Sequence, residues 1–357
     1  MHHVPADSLD TRIRKAATGL RRGLALLCGA LISTFAFQVF ADAAGSGSEW
    51  QDSNYHFADK AEAAQRLGTS DAFSQHLSGF DRSARLKTDE PVTEAAILAF
   101  AAQQALDWDG NAKVRVQQAI ASILPAFRKL KIPTVDIAIV STTGVEEEGY
   151  AFTRQQFIVL PKARLAGYDD KKLRWVIAHE TFHIISRTHP ELREQLYAVL
   201  GYAKGDEVLL PEDLRERRIT NPDGPRNDHY IRVTYDGDTV CATPVLYSAR
   251  DPRAGRKLFD YLEIRYALSW QGAGNDRYKD KNDPELVEED KLDGLFEQIG
   301  KNTEYTMHPD EILADNFAVL VTGDGKVQTP AIQSKMAAVF AGAPDAQKPL
   351  QAADICK

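Results

Sequence analysis

Residues 171–187 read KKLRWVIAHETFHIISR, and this stretch decides how the rest of the chain is interpreted. It predicts one helix, because two aspartates stand just before it, where the positive end of a helix favours carboxylates. Within it, His179 and His183 are four residues apart, so both imidazoles share one face and could bind the same metal ion. Glu180 is rotated about a third of a turn from His179. A carboxylate there can take a proton from metal-bound water.

The residues that flank the two histidines carry no charge, which predicts a helix that is buried around its polar groups. Two imidazoles and a carboxylate in such surroundings are costly unless a partner such as a metal ion binds them. The alternative is an amphipathic helix whose histidines and glutamate form a solvated polar stripe. The uncharged flanks favour the metal site.

The motif resembles that of the zincin metallopeptidases, whose uncharged flanks around the two histidines it shares. The likeness is strong over the helix and loose over the rest of residues 131–322. It implies an α+β fold, in which a mixed sheet packs on the active-site helix and one edge strand aligns the substrate. It also implies a bound Zn²⁺, with His179 and His183 as ligands, and hydrolysis of peptide bonds through a zinc-bound water that Glu180 activates.

A third ligand is expected from residues 308–317, which read HPDEILADNF. The proline predicts the start of a helix, so Glu311 and Asp315 would lie one turn apart on one face. The pair resembles the E-x-x-x-D helix of the gluzincins, which implies Glu311 as a zinc ligand and Asp315 as the residue that holds a ligand imidazole. The two helices are much farther apart in sequence than in compact gluzincins, so a large insertion must separate them. Alternatively, both residues are ordinary surface carboxylates.

His189 offers a second choice of third ligand, which is the metzincin type. With the first two histidines it completes the spacing H-E-x-x-H-x-x-x-x-x-H, and Met307 could form a downstream Met-turn. That family places glycine where this chain has Ser186, because the chain must turn back there with a positive φ. Pro190 also follows His189 directly and predicts the start of the next helix. The gluzincin-like set is therefore favoured.

A hydrolase of this kind also needs a donor for the developing oxyanion. His229 and Tyr230 lie between the two ligand helices, and His308 lies beside Glu311. Each could serve, but a packing or surface role is favoured for each. The sequence therefore does not decide among the three.

The remaining sequence predicts the layers around the active-site helix. Residues 44–130 have apolar residues at helical spacing, which predicts a helical N-terminal layer that packs on the core. Residues 131–357 form the predicted zincin-like catalytic domain, which ends in a helical C-terminal part. Its β-branched runs predict strands at 134–140, 149–153, 156–160, 231–235 and 240–247. Further helices are predicted at 309–321 and 329–341.

Residues 1–43 predict a segment that is not part of this fold. Basic residues precede an uncharged run from Gly23 to Phe40, and the small-residue site ADA follows. This order is typical of a secretory signal with its cleavage site, which predicts a periplasmic or secreted protein. An uncleaved anchor is the alternative, because the apolar run is nearly long enough to span a bilayer.

The composition excludes several classes of protein. A formal net charge of −8 argues against a general nucleic-acid binder, which needs a basic face. Three cysteines are too few for a disulfide scaffold or a cysteine-based zinc module, so a metal site must use histidines and carboxylates. Removal of the signal would take Cys28 with it. Cys241 and Cys356 would then either form one disulfide or remain as two thiols.

The sequence therefore predicts a zinc-dependent metallopeptidase that is secreted or periplasmic. Its expected partner is a peptide or protein substrate. No nucleic acid is expected, and no membrane span is expected once the signal is removed. One alternative is a non-catalytic zincin-fold protein that acts as a binding or envelope-assembly module. Another is a metal-dependent hydrolase of non-peptide amides.

Overall fold

The computed structural model describes residues 49–269, 283–344 and 346–356. The predicted signal segment, with Cys28, lies outside the described residues. Within the described ranges the chain is a mixture of helices and two five-stranded sheets, which confirms the α+β prediction. No helix in these ranges is both long enough and apolar enough to cross a membrane.

Residues 49–130 are largely helical, but they also give two short strands to a sheet. Their elements are β1 (Tyr55–Phe57), α1 (Lys60–Leu67), α2 (Ala72–His76), α3 (Gly79–Arg85), α4 (Glu94–Gln103), β2 (Ala105–Leu106) and α5 (Gly110–Leu130). The expectation of a purely helical layer missed both strands, because two or three residues are too few to show an alternating pattern. The apolar stripe of α5 packs into the main hydrophobic core.

The first sheet is mixed, and its edge strand lies next to the central helix. Its other strands are β3 (Ile137–Thr142), β4 (Phe152–Arg154) and β5 (Phe157–Pro161). The order is β1-β3-β5-β4, with β2 paired to the end of β3. The first three run parallel, whereas β4 is antiparallel to β5 and forms the edge. Every residue of β3 is buried, which agrees with the apolar run of its first four residues, 137–140.

The chain continues through three helices into a second sheet and ends in four more helices. These elements are α6 (Lys162–Gly167), α7 (Asp170–Thr188), α8 (Pro190–Val199), β6 (Tyr202–Lys204), α9 (Glu212–Arg215), β7 (His229–Tyr235), β8 (Asp238–Tyr247), β9 (Glu263–Ser269), β10 (Leu286–Val287), α10 (Leu295–Ile299), α11 (Pro309–Thr322), α12 (Pro330–Phe340) and α13 (Ala352–Ile355). The second sheet is antiparallel in the order β10-β9-β8-β7-β6. The prediction of one mixed sheet was therefore incomplete, because the later strands pair with one another.

The helices α7 and α11 form the centre of the molecule. The N-terminus of α7 is capped by Asp169, whose carboxylate accepts a hydrogen bond from the N–H of Lys172 at 2.7 Å. Its C-terminus precedes a proline, as helix ends commonly do. Phe182 of α7 packs on Phe317 of α11 with ring centroids 5.3 Å apart. This contact fixes the two helices side by side and sets the distance between their polar residues.

Cys241 of β8 and Cys356, just after α13, form a disulfide, which is the first of the two alternatives that the sequence left open. Their Cα atoms lie 5.5 Å apart. Near it, the N–H of Lys204 donates a hydrogen bond to the carbonyl of Leu350 at 3.0 Å. The disulfide and this bond tie the C-terminal segment to the second sheet.

Candidate metal centre

Three predicted ligands meet between α7 and α11. The Nε2 atoms of His179 and His183 lie 3.0 Å apart, and Oε2 of Glu311 lies 3.3 and 3.6 Å from them respectively. A tetrahedral zinc ion with bonds of about 2.0–2.1 Å places its ligand atoms about 3.3 Å from one another. The triangle therefore has the dimensions of three ligands around one ion. Its donor set of two imidazoles and a carboxylate suits zinc better than calcium or magnesium.

The two histidine rings are held by carboxylates on their far sides. Nδ1 of His183 lies 2.7 Å from Oδ2 of Asp310, and Nδ1 of His179 lies 2.9 Å from Oδ1 of Asp315. At His183 the contact is a hydrogen bond that keeps the proton on Nδ1, so the lone pair of Nε2 points to the centre. At His179 the nearby charge of Asp315 favours the same position of the proton. The structure thus places Asp315 where the resemblance implied. It adds Asp310, which sequence reasoning missed because an aspartate in a first helical turn is explained by the helix dipole alone.

Asp310 is the most heavily hydrogen-bonded side chain of the centre. Besides His183, it accepts hydrogen bonds from Ser186 Oγ at 2.5 Å and from the Tyr197 hydroxyl at 2.8 Å. Burial raises the pKa of Asp310, but the hydrogen bond and the charge of His183 outweigh it and lower the pKa to about 2. Asp310 is therefore an anion at neutral pH and fixes the ring of His183.

Glu180 lies beside the three ligands, as the motif predicts. It is only 5% exposed, and its Oε2 has no hydrogen-bond partner among the described residues. Burial, followed by the nearby charge of Asp223, raises the pKa of Glu180 to about 8. A buried carboxyl group whose pKa lies near neutral pH can both accept and release a proton, which is what proton transfer in a hydrolysis requires.

Two residues of the turn-rich stretch TNPDGP also reach the centre, and sequence reasoning missed both. Nδ2 of Asn221 donates a hydrogen bond to Oε1 of Glu311 at 2.6 Å. A carboxylate oxygen of Asp223 lies within 4.8 Å of the donor atoms of Glu180 and His183. Burial raises the pKa of Asp223. The sequence predicts only turns here, and no local pattern shows that a turn reaches a helix far along the chain.

His189 does not join the ligands. Its Nδ1 lies 3.2 Å from the carbonyl oxygen of Ile185 and 3.0 Å from Thr188 Oγ1. It belongs to neither of the potential metal-binding groups found among the described residues. Ser186 continues α7 instead of turning the chain back, and Met307 packs in a separate apolar cluster. The described residues therefore give no support to the metzincin alternative.

The three predicted oxyanion donors are engaged by other partners. Both ring nitrogens of His229 lie within 2.9 Å of carboxylate oxygens, and the Tyr230 hydroxyl donates to a main-chain carbonyl at 2.8 Å. Nδ1 of His308 accepts a hydrogen bond from the N–H of Asp310, so its Nε2–H donates to the carbonyl of Arg226. None of the three is free to bind a substrate in this arrangement.

Comparisons with protein-family models, with curated proteins and with solved structures found no match. The interpretation of this centre therefore rests on its own geometry. The distances among the three ligand atoms and the two carboxylates behind the imidazoles are its main support.

Proposed function

We propose that the protein is a zinc-dependent metallopeptidase of the zincin type. One observation carries this proposal: His179, His183 and Glu311 form a ligand triangle with sides of 3.0–3.6 Å, beside a buried glutamate. Two histidines of α7 provide nitrogen donors and a glutamate of α11 provides an oxygen donor, and the two helices pack on each other. This is the arrangement of a catalytic zinc site, which uses three protein ligands.

A zinc ion held there would acidify a water molecule and polarise a carbonyl group. The chain's own residues supply the other parts of the reaction. Glu180 accepts a proton from the attacking water and passes it to the leaving amine. Asp310 and Asp315 keep the protons of the two imidazoles on Nδ1, so that both Nε2 atoms remain ligands.

The edge strand β4 supports a peptide as the substrate. The N–H of Thr153 points away from β5, since it donates to Asp223 and not to the neighbouring strand. An edge strand with an outward N–H group can pair with an extended peptide and align it beside α7 once that group is released. Non-peptide amides would not need such an edge.

The disulfide supports the expected location of the protein. Cys241 and Cys356 are joined, and disulfides form and persist in oxidising compartments. We therefore propose that the protein is periplasmic or secreted.

The proposal is tested by zinc content and by one substitution. The purified protein is expected to carry one zinc ion per chain by elemental analysis. The variant Glu180→Gln should keep that zinc but hydrolyse casein about 10²–10⁴-fold more slowly than its parent. Glu146→Gln is a matched control, because Glu146 is another buried glutamate with an unpaired oxygen, in a different cluster. Absence of zinc, or full activity in Glu180→Gln, would contradict the proposal.

The non-catalytic alternative is favoured by one observation, the burial of the ligands. The side chains of His183 and Glu311 are 0% and 2% exposed. A metal site closed in this way resembles a structural site, which is coordinated by four protein ligands. The identity of the residues that close the centre therefore bears directly on its function.

A further inference from the structure

One short segment covers the centre from outside. We call residues 220–224, which read TNPDG, the strap. Asn221 of the strap donates its hydrogen bond to Glu311, the ligand on α11. Asp223 places a carboxylate oxygen within 4.8 Å of the donor atoms of Glu180 and His183 on α7. The strap therefore contacts residues of both ligand helices.

The same aspartate also blocks the edge strand. One oxygen, Oδ1 of Asp223, accepts hydrogen bonds from both the N–H and the Oγ1 of Thr153, at 2.7 and 2.6 Å. Arg187 reinforces this contact by donating to the carbonyl of Asp223 at 3.3 Å and to Thr153 Oγ1 at 3.0 Å. The N–H group that an extended peptide would use is thus already satisfied by the chain itself.

The strap is held at both ends. At its start, the N–H of Thr220 donates to Oδ2 of Asp81 at 2.8 Å, and Arg85 donates to the carbonyl of Thr220 at 2.9 Å. At its end, Gly224 lies so close to the ring of His308 that a Cβ atom would come within 2.6 Å of it. The chain therefore needs glycine at this position to keep the strap in place.

We propose that the strap is an autoinhibitory segment, so that at any time only the fraction of molecules in which the strap has left the centre is active. This inference rests on the proposed peptidase function. Asp223 occupies two positions that a peptide substrate needs, the N–H of the edge strand and the space beside Glu180 and His183. Its attachment is entirely non-covalent, so displacement requires only the loss of hydrogen bonds.

The test measures access to the centre separately from hydrolysis. The probe is acetohydroxamate, a small chelator of zinc, titrated by calorimetry into the zinc-loaded full chain. Because only molecules with an open strap can bind it, the apparent affinity is reduced by the open fraction. Asp223→Ala is therefore expected to bind acetohydroxamate at least about tenfold more tightly than the wild type.

Two further variants make the result interpretable. Asp223→Asn keeps the shape of the side chain and an oxygen that can accept from Thr153, so it preserves the fold while removing the charge. Because a neutral amide oxygen accepts a weaker hydrogen bond than a carboxylate, this variant should bind the probe more tightly than the wild type but less tightly than Asp223→Ala. The matched control is Asn227→Ala, which lies in the same loop but donates to the carbonyl of Pro244 at 2.8 Å, away from the centre. It should bind the probe as the wild type does.

Four outcomes decide the inference. Equal binding by the wild type and Asp223→Ala, within about twofold, would overturn it, because the strap would then not reduce the affinity of the site for the probe. Loss of zinc from Asp223→Ala would also overturn it, since Asp223 would then be a fourth structural ligand. If Asp223→Ala binds the probe tightly but does not hydrolyse casein, the strap is confirmed and the peptidase proposal fails. If both proteins hydrolyse casein equally, the strap fails and the peptidase proposal stands.

Discussion

Two substitutions of Asp310 should distinguish its effect on zinc binding from its effect on the stability of the fold. Asp310 is 2% exposed and accepts hydrogen bonds from His183, Ser186 and Tyr197 at 2.7, 2.5 and 2.8 Å. The change to alanine leaves three buried donors without an acceptor. The change to asparagine keeps the shape and part of the hydrogen bonding but removes the charge.

The expected magnitudes follow from these contacts. Breaking a buried charged pair by removing one partner costs about 3–5 kcal/mol, so Asp310→Ala should lower the free energy of unfolding by that amount. Loss of the carboxylate behind a ligand imidazole should weaken zinc binding about 10–100-fold. Asp310→Asn should lose no more than about 1–2 kcal/mol of stability. It should still bind zinc about tenfold more weakly, because a neutral amide does not raise the basicity of the imidazole.

The two effects are measured separately. Urea unfolding in the presence of EDTA reports the stability of the chain alone, and competition with a chromophoric chelator at fixed pH reports zinc affinity. Asp324→Asn is the control, since Asp324 also links to α7 by accepting from Arg174 at 2.6 Å, but at the far end of α11. If Asp310→Ala binds zinc within about twofold of the wild type, the carboxylate does not orient His183 and the reasoning is refuted.

Three other predictions concern the disulfide, a buried acid and the strap. The disulfide spans 115 residues. Cys356→Ser should therefore lower the free energy of unfolding by up to about 4–5 kcal/mol in urea, and a reductant should have no further effect on that variant. Burial raises the pKa of Glu147 from 4.5 to about 7, with Arg85 opposing it. The folded chain thus favours the protonated form of Glu147. Its contribution to the stability of the fold is therefore full below pH 4.5 and is lost as the pH rises through about 7. The free energy of unfolding, measured in urea, should fall by about 3 kcal/mol between pH 4.5 and about 7, and this fall should be absent in Glu147→Gln. The same pH dependence in both proteins would contradict the prediction. Gly224→Ala should push the strap off His308 and raise acetohydroxamate affinity, whereas unchanged affinity would show that the ring yields instead.

Local chemistry explains which elements the sequence predicts well. The prediction of a helix at 171–187 is confirmed within one residue at each end, because a capping aspartate and a following proline mark its limits. The helix predicted at 309–321 is confirmed for the same reason, since a proline starts it and Gly323 ends it with φ of +71°. Once this helix is predicted, the i, i+4 spacing alone places the two histidines on the same face.

The parts that were missed depend on contacts between distant segments. Asp223 and Asn221 belong to a turn whose sequence shows only its turn chemistry, and their approach to α7 and α11 is set by tertiary packing. Asp310 has an adequate local explanation as a first-turn acid, so nothing in the sequence shows that it faces His183. The short strands β1 and β2 form because β3 offers them a partner.

The covalent bond and the metal centre enclose overlapping parts of the chain. The disulfide joins residues 241 and 356, and the ligands on α7 and α11 would be joined by an ion from residue 183 to residue 311. A single cut of the backbone between residues 242 and 310 would therefore fall inside both closed loops. The two fragments would stay linked by the disulfide, and with zinc bound they would also stay linked through its ligands. Separation of such nicked chains should need a reductant and a chelator together, so one cut within these residues would leave the two fragments joined.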